Sequence, residues 1–208
     1  MSSFHRRELP ERHVAFASAE GRAVFREALA EGHLEGFFAL SEQFHTQADP
    51  AFCGLGSLVV VLNALAIDPG RLWKGSWRWF SEELLDCCVP LEHVRANGLT
   101  LGEVACLARC NGAEVALRRA DRRDVAELRA DVVAASRAAT GPFVIASYAR
   151  SALGQTGGGH FSPVAGYHAG RDLALVLDVA RFKYPPHWVP LEDLHAAMRP
   201  HDPVAGAA

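Results

Sequence analysis

Thirteen consecutive positions, Leu55 to Ile67, read LGSLVVVLNALAI and carry no charge. That stretch falls well short of the roughly 20 residues needed to cross a bilayer, and it contains Ser57 and Asn63. It therefore reads as a helix buried in protein. Leu55, Leu58, Val59, Leu62 and Leu65 keep the 3 and 4 spacing of a helical face, and Asp68-Pro69-Gly70 is a stop signal. The remaining chain has to pack around it. With 208 residues, half of them apolar, and no repeat or linker, one domain over residues 1–208 is expected, able to bury roughly 70 % of its unfolded surface.

Other helices announce themselves by their ends. Ser18 caps a helix whose apolar face is Val24, Phe25, Ala28 and Leu29 and which stops at Gly32. Thr100 and Glu103 form a capping box ahead of Val104 and Leu107, closed by Asn111-Gly112. Asp121 to Ala139 is a further amphipathic helix, through Val125, Leu128, Val132 and Val133. Strand-prone runs then follow at 143–148, 161–167 and 173–179, with no helix between the last two. Helices first and antiparallel strands later predict an α+β fold.

Composition excludes several partners. Lys plus Arg number 21 against 24 acidic residues, a net charge of −3, which gives no electrostatic footprint for nucleic acid or an anionic membrane. The aromatic segment Trp73 to Phe80 is expected to pack rather than to stack on bases. MSSFHRRELPERH mixes charges of both signs without an apolar run, so it does not resemble a secretory signal, and a cytoplasmic location is expected. Five cysteines, an odd count, point there to reduced thiols.

One of those thiols has a reactive setting. Cys53 follows an extended Gln-Ala-Asp-Pro segment and opens the apolar helix, where free amides and the helix dipole favour a thiolate. The plain alternative is a buried core cysteine. Gln47 can return its side-chain amide to the sulfur as an oxyanion donor, or can be solvated surface. Among ten histidines, His160 follows Gly157-Gly158-Gly159, which permit close backbone approach, and it opens a strand. If strands 161–167 and 173–179 form a hairpin centred on Gly170, His160 lies opposite Ala180 and diagonal to Asp178. Asp178 interrupts an apolar run, where a carboxylate is costly unless paired; the alternative is a turn cap.

These residues with their flanks resemble the catalytic domain of phytochelatin synthases, a papain-like family that transfers γ-glutamylcysteine from glutathione. The likeness runs through TQADPAFCGLGSLVVVLNALAIDPGRLWKGSWRWF, LLDCC, QTGGGHFSPVAGY and LALVLDVARFKYPPHWVPL, from Phe4 to about Met198. The resemblance implies a papain-like fold, a catalytic triad of Cys53, His160 and Asp178, and an oxyanion-hole glutamine at Gln47. It implies a thioester on Cys53, release of glycine, and transfer to a second glutathione or a growing phytochelatin. It places Arg150, Arg181 and Lys183 where they can anchor glutathione carboxylates, each with surface solvation as the alternative. No organic cofactor is implied. A heavy-metal activator, cadmium or zinc, is, as the metal–glutathione thiolate used as acceptor.

Glutathione and its metal complexes are thus the expected partners, with a homodimer open. Cys106 and Cys110 share a helix face and Cys87 and Cys88 are adjacent, so soft-metal binding stands beside buried structural roles, and no metal ligand is assigned. Plant relatives carry a further cysteine-rich domain and an apolar strand beyond the Met198 region; neither is expected here, where the sequence runs into HDPVAGAA. Two alternatives stay open: a peptidase that hydrolyses glutathione or its S-conjugates with the same triad, and a non-catalytic thiol module that binds metal.

Overall fold

The structure, a computed structural model, describes residues 6–200. The first five residues of the N-terminal segment and the closing HDPVAGAA lie outside them. The elements are β1 (Val14–Ala15), α1 (Ala19–Ala30), α2 (Glu35–Gln43), α3 (Cys53–Ala64), α4 (Leu91–Asn97), α5 (Leu101–Cys110), α6 (Val125–Ser136), β2 (Val144–Ala149), β3 (Gly159–His168), β4 (Leu173–Val176), β5 (His187–Pro190) and α7 (Leu191–Met198). Apart from the short β1 and the closing α7, helices precede strands, so the arrangement is α+β as expected. The strands form one antiparallel sheet in the order β1-β5-β4-β3-β2.

The apolar helix is the centre of the molecule. All residues of α3 from Cys53 to Asn63 are buried, against α2 on one side and β3 on the other. Leu55, Leu58 and Leu62 each contribute about 1.5–3 kcal/mol by leaving water. Asn63 is tolerated because its side chain exchanges two hydrogen bonds with the backbone of Phe80, at 3.0 and 3.1 Å. Among the described residues no helix is long and apolar enough to cross a membrane.

Both expected caps form. Ser18 Oγ accepts from the Gly21 amide, and Thr100 and Glu103 make the complete box at α5. α6 starts at Val125 rather than Asp121, because Asp124 and Glu127 supply a second capping box and Ala120–Arg122 is only a 3-10 turn. The hairpin pairs Val164 with Val176, as a centre at Gly170 requires. Nearer the turn the register runs one residue off, Gly166 with Leu175, across a bulge. β4 ends at Val176, so Asp178 lies past the ladder, not deep in a strand.

Two expectations fail. Trp77 is 73 % and Trp79 42 % exposed, and only Phe80 of that segment enters the core, because Lys74 and Trp77 fold it into a bridge that projects outward. The four cysteines other than Cys53 are neither buried nor reduced: Cys87 bonds Cys110 and Cys88 bonds Cys106. The segment before α4 runs along α5 with Cα separations of 6.5 and 6.2 Å, within disulfide reach. Cys88 is half-buried and the other three are exposed.

Candidate active site

Cys53 is the first residue of α3 and the chain's free cysteine. Phe52 at the N-cap offers no side-chain hydrogen bond and no acidic residue occupies the first turn, so the helix end presents bare amides to the sulfur. Burial acts to raise the thiol's pKa. The hydrogen bond and charge of His160, the Phe161 backbone and the Arg150 charge outweigh it, and the net shift is downward.

His160 stands near the start of β3, opposite Tyr148 of β2. Its Nε2 lies 2.9 Å from Asp178 Oδ1, which leaves Nδ1 as the nitrogen facing Cys53. Burial alone would lower its pKa; the Asp178 charge and hydrogen bond, with Cys53, raise it. The Tyr148 ring packs edge-on at 5.6 Å and shields the imidazole from water. A lowered thiol beside a raised imidazole describes a thiolate–imidazolium pair.

Asp178 is fully buried. Burial pushes its carboxyl up, yet His160 and Arg150 hold it well below the usual range. Its Oδ1 accepts from the Ala180 amide at 2.9 Å. Arg150 Nη2 reaches both oxygens, at 2.9 and 2.8 Å. Arg150 is thus 3 % exposed and placed behind the orienting carboxylate, with Nη1 donating to Gln155 Oε1 at 2.5 Å. Gln155 Nε2 then meets His187 Nε2 at 3.0 Å, and His187, whose burial lowers its pKa, stacks on His13 at 5.3 Å.

Gln47 is buried near the site, its amide bonded to the Val179 carbonyl at 3.0 Å. Its side-chain Nε2 donates to the carbonyls of Asp49 and Pro50, at 2.8 and 2.9 Å, so it braces the turn that delivers Cys53. Glu82 does the same from outside. It is 7 % exposed, takes the Ala48 amide on both oxygens, at 2.9 and 3.2 Å, and lies 3.5 Å from His45. Nothing local in SEELLD marks Glu82 as buried, and Arg150, 28 residues from Asp178, resembles any surface arginine.

A cavity of about 180 Å³ opens over the sulfur, lined among others by Pro50, Arg150, Gly158, Phe182 and Lys183. Of the expected anion anchors, Lys183 faces this space, its pKa lowered by burial and then by the Arg150 charge. Arg181 is exposed and lies 5.0 Å over the Phe44 ring, outside the cavity lining. Only one of the three glycines before His160 is a close approach. Gly157 has φ +116° and a Cβ there would meet Lys183 Nζ at 2.7 Å, whereas Cβ atoms on Gly158 and Gly159 would meet nothing within 4 Å. The last two keep the cleft wall open.

A family model described as phytochelatin synthase matches residues 4–208. The chain is 57 % identical to glutathione gamma-glutamylcysteinyltransferase 1 of Triticum aestivum and 53 % identical to glutathione gamma-glutamylcysteinyltransferase 1 of Arabidopsis thaliana, in both cases over 99 % of its length. It is 47 % identical to the glutathione gamma-glutamylcysteinyltransferase of Schizosaccharomyces pombe over 98 % of its length. It spans 41 %, 42 % and 49 % of those relatives, respectively.

Proposed function

Because this chain belongs to the phytochelatin synthase family, we propose that it transfers the γ-glutamylcysteinyl unit of glutathione through a thioester on Cys53. The observation that carries the reading is a single free cysteine at a helix N-terminus, its pKa lowered beside a His160–Asp178 pair. The Cys53 thiolate attacks the carbonyl of the Cys-Gly peptide bond. Bare amides at the start of α3 receive the oxyanion, with Gln47 bracing the turn. His160 Nδ1 gives its proton to the departing glycine amine and the thioester remains. His160 then takes a proton from the α-amine of a second glutathione or a growing phytochelatin as that amine attacks, and Asp178, held by Arg150, keeps the ring aligned throughout.

Lys183 supplies a cation at the cleft for a substrate carboxylate. Cadmium or zinc enters as substrate, carried on the thiolate of the accepting glutathione. The test is a mass-spectrometric product assay with glutathione, with and without cadmium, on the wild-type chain and on Cys53→Ala. Peptides of two or more γ-Glu-Cys units that vanish in Cys53→Ala support the transferase. Glycine and γ-glutamylcysteine alone would make the chain a hydrolase, and no product from folded protein would remove Cys53 from its role.

A further inference from the structure

Two buried polar side chains behind the triad take no part in the chemistry above. Gln155 and His187 are 4 % and 0 % exposed, and neither lines the cavity over Cys53. The fold brings them there by two routes. Arg150–Leu153 is a single 3-10 turn, and the Gln155 amide bonds back to the Arg150 carbonyl at 2.9 Å, which sets the two side chains together. β5 pairs His187 with Val176, the last residue of β4 and two before Asp178.

The hydrogen bonds through this pair can run in one direction only. The Pro185 carbonyl, 2.8 Å from His187 Nδ1, can only accept, so Nδ1 carries the proton. A neutral ring then leaves Nε2 as an acceptor for Gln155 Nε2, 3.0 Å away. At the other end Arg150 has donors alone, so Gln155 turns its oxygen to Nη1. The ring is kept neutral chiefly by burial; the Asp178 charge and the Pro185 carbonyl act the other way, the Arg150 and His160 charges with burial, and the net shift of the His187 pKa is downward. His13, stacked on the ring at 5.3 Å and pushed down to about 4 chiefly by burial, covers it without adding a charge at neutral pH.

Arg150 has two directions open to it, since it touches Asp178 and also lines the cleft. We propose that Gln155 and His187 are positioning residues, which hold the Arg150 guanidinium on Asp178 and out of the cleft and so keep His160 Nδ1 facing Cys53. The Tyr184 ring, 5.1 Å from the guanidinium carbon, supplies one wall, and the bond from Nη1 to Gln155 leaves Nη2 aimed at the carboxylate. Without Gln155, Nη1 is a buried donor with its acceptor gone, and a swing toward the open cleft relieves that penalty. Asp178 then loses its grip on one side, the His160 ring its alignment, and Cys53 the hydrogen bond that outweighs burial of its thiol.

This role rests on the triad of the proposed function, and the experiment separates the two. The wild-type chain is compared with Gln155→Leu, His187→Leu and His187→Gln, the last of which returns an acceptor close to the place of Nε2. The other four cysteines are held in disulfides, so iodoacetamide reads Cys53, and its rate is followed against pH. Glycine release from glutathione gives kcat and KM. Both leucine variants should raise the alkylation midpoint by about one pH unit and lower kcat about tenfold with KM within about twofold, and His187→Gln should recover most of both. In the ¹⁵N-labelled wild type, the His187 imidazole should show Nδ1 protonated and Nε2 bare. If the leucine variants do not fold, Gln155→Glu keeps the shape and offers Arg150 a second carboxylate; it should lower kcat about tenfold and leave His187 protonated on both nitrogens. Alkylation and the imidazole spectrum need no turnover, so a chain that shows both patterns yet releases no glycine overturns the transferase reading and supports this one. A midpoint unmoved or lowered by the leucine variants, a loss carried by KM, His187→Gln no better than His187→Leu, or a proton on Nε2 of the wild type overturns the positioning role.

Discussion

Removing Arg150 tests whether the buried carboxylate depends on it. Asp178 is fully buried; its Oδ1 takes three donors, Arg150 Nη2, His160 Nε2 and the Ala180 amide, each at 2.9 Å, while its Oδ2 has no hydrogen bond among the described residues and lies 2.8 Å from the Arg150 guanidinium as an ion pair. Arg150→Met keeps most of the side-chain volume but leaves Oδ2 without its ion-pair partner, while Oδ1 retains an imidazolium and an amide. Breaking a buried pair by removing one partner costs about 3–5 kcal/mol, and the surviving partners put this case near 3. Asp178→Asn strands two cations instead of one anion and belongs near 5. The double variant carries no stranded anion and only one of the two stranded cations, so its loss should fall short of the sum by about 2 kcal/mol or more. Urea unfolding of the four proteins, followed by circular dichroism, gives the cycle. A cost below 1 kcal/mol for Arg150→Met, or additive losses, would refute the account of Arg150 as the partner of Asp178.

The thiolate–imidazolium pair predicts that Cys53 alkylation by iodoacetamide stays fast below the ordinary thiol pKa and that His160→Gln moves its midpoint upward, since His160 is what outweighs burial. Asp178 has a folded pKa below its unfolded value of 3.8. Its stabilisation is complete above that value and is lost as pH falls through the folded pKa, so acid unfolding below about pH 4 should be shallower in Asp178→Asn. Glu82→Ala leaves the Ala48 amide without an acceptor, at about 1–3 kcal/mol, and loosens the Cys53 turn; kcat should drop about tenfold with KM little changed. Gly157→Ala puts a Cβ at φ +116° and against Lys183, and a loss of about 1–3 kcal/mol in thermal unfolding is expected, whereas Gly159→Ala should fold normally.

What could be foreseen was what chemistry writes locally. α3, the cap of α1 and the capping box of α5 are patterns of neighbours, and the structure has them where the residues say. The contact between His160 and Asp178 followed from a hairpin centre and from a carboxylate interrupting an apolar run. The bulge between Val164 and Gly166 is what brings the far end of the hairpin back into that register. β5 and α7 were missed because His187–Pro190 is a four-residue strand hemmed by prolines, with a helix starting immediately behind it. The disulfides and the burial of Glu82 and Arg150 were out of reach for another reason. Each depends on two segments meeting in space, and neither segment alone differs from a solvated surface turn.

The charges around the cleft connect this architecture to the proposed reaction. Arg150, Lys183 and protonated His160 face the Cys53 thiolate and Asp178, three cations against two anions. Asp178 occupies Arg150, and Cys53 and His160 balance each other, so the unmatched charge sits on Lys183. A half-buried ammonium with no ion-pair partner among the described residues, its pKa lowered by burial and by Arg150, gains most from an incoming carboxylate. Glutathione, with two carboxylates and one amine, brings one net negative charge and neutralises the cleft. If Lys183 holds the glycine carboxylate, cleavage carries that anion away with the first product and restores the vacancy. The acyl-enzyme is then cationic again beside a thioester, which draws a second anionic tripeptide into the cleft in preference to neutral water. Under the proposed reaction, the one-charge excess would favour transfer over hydrolysis.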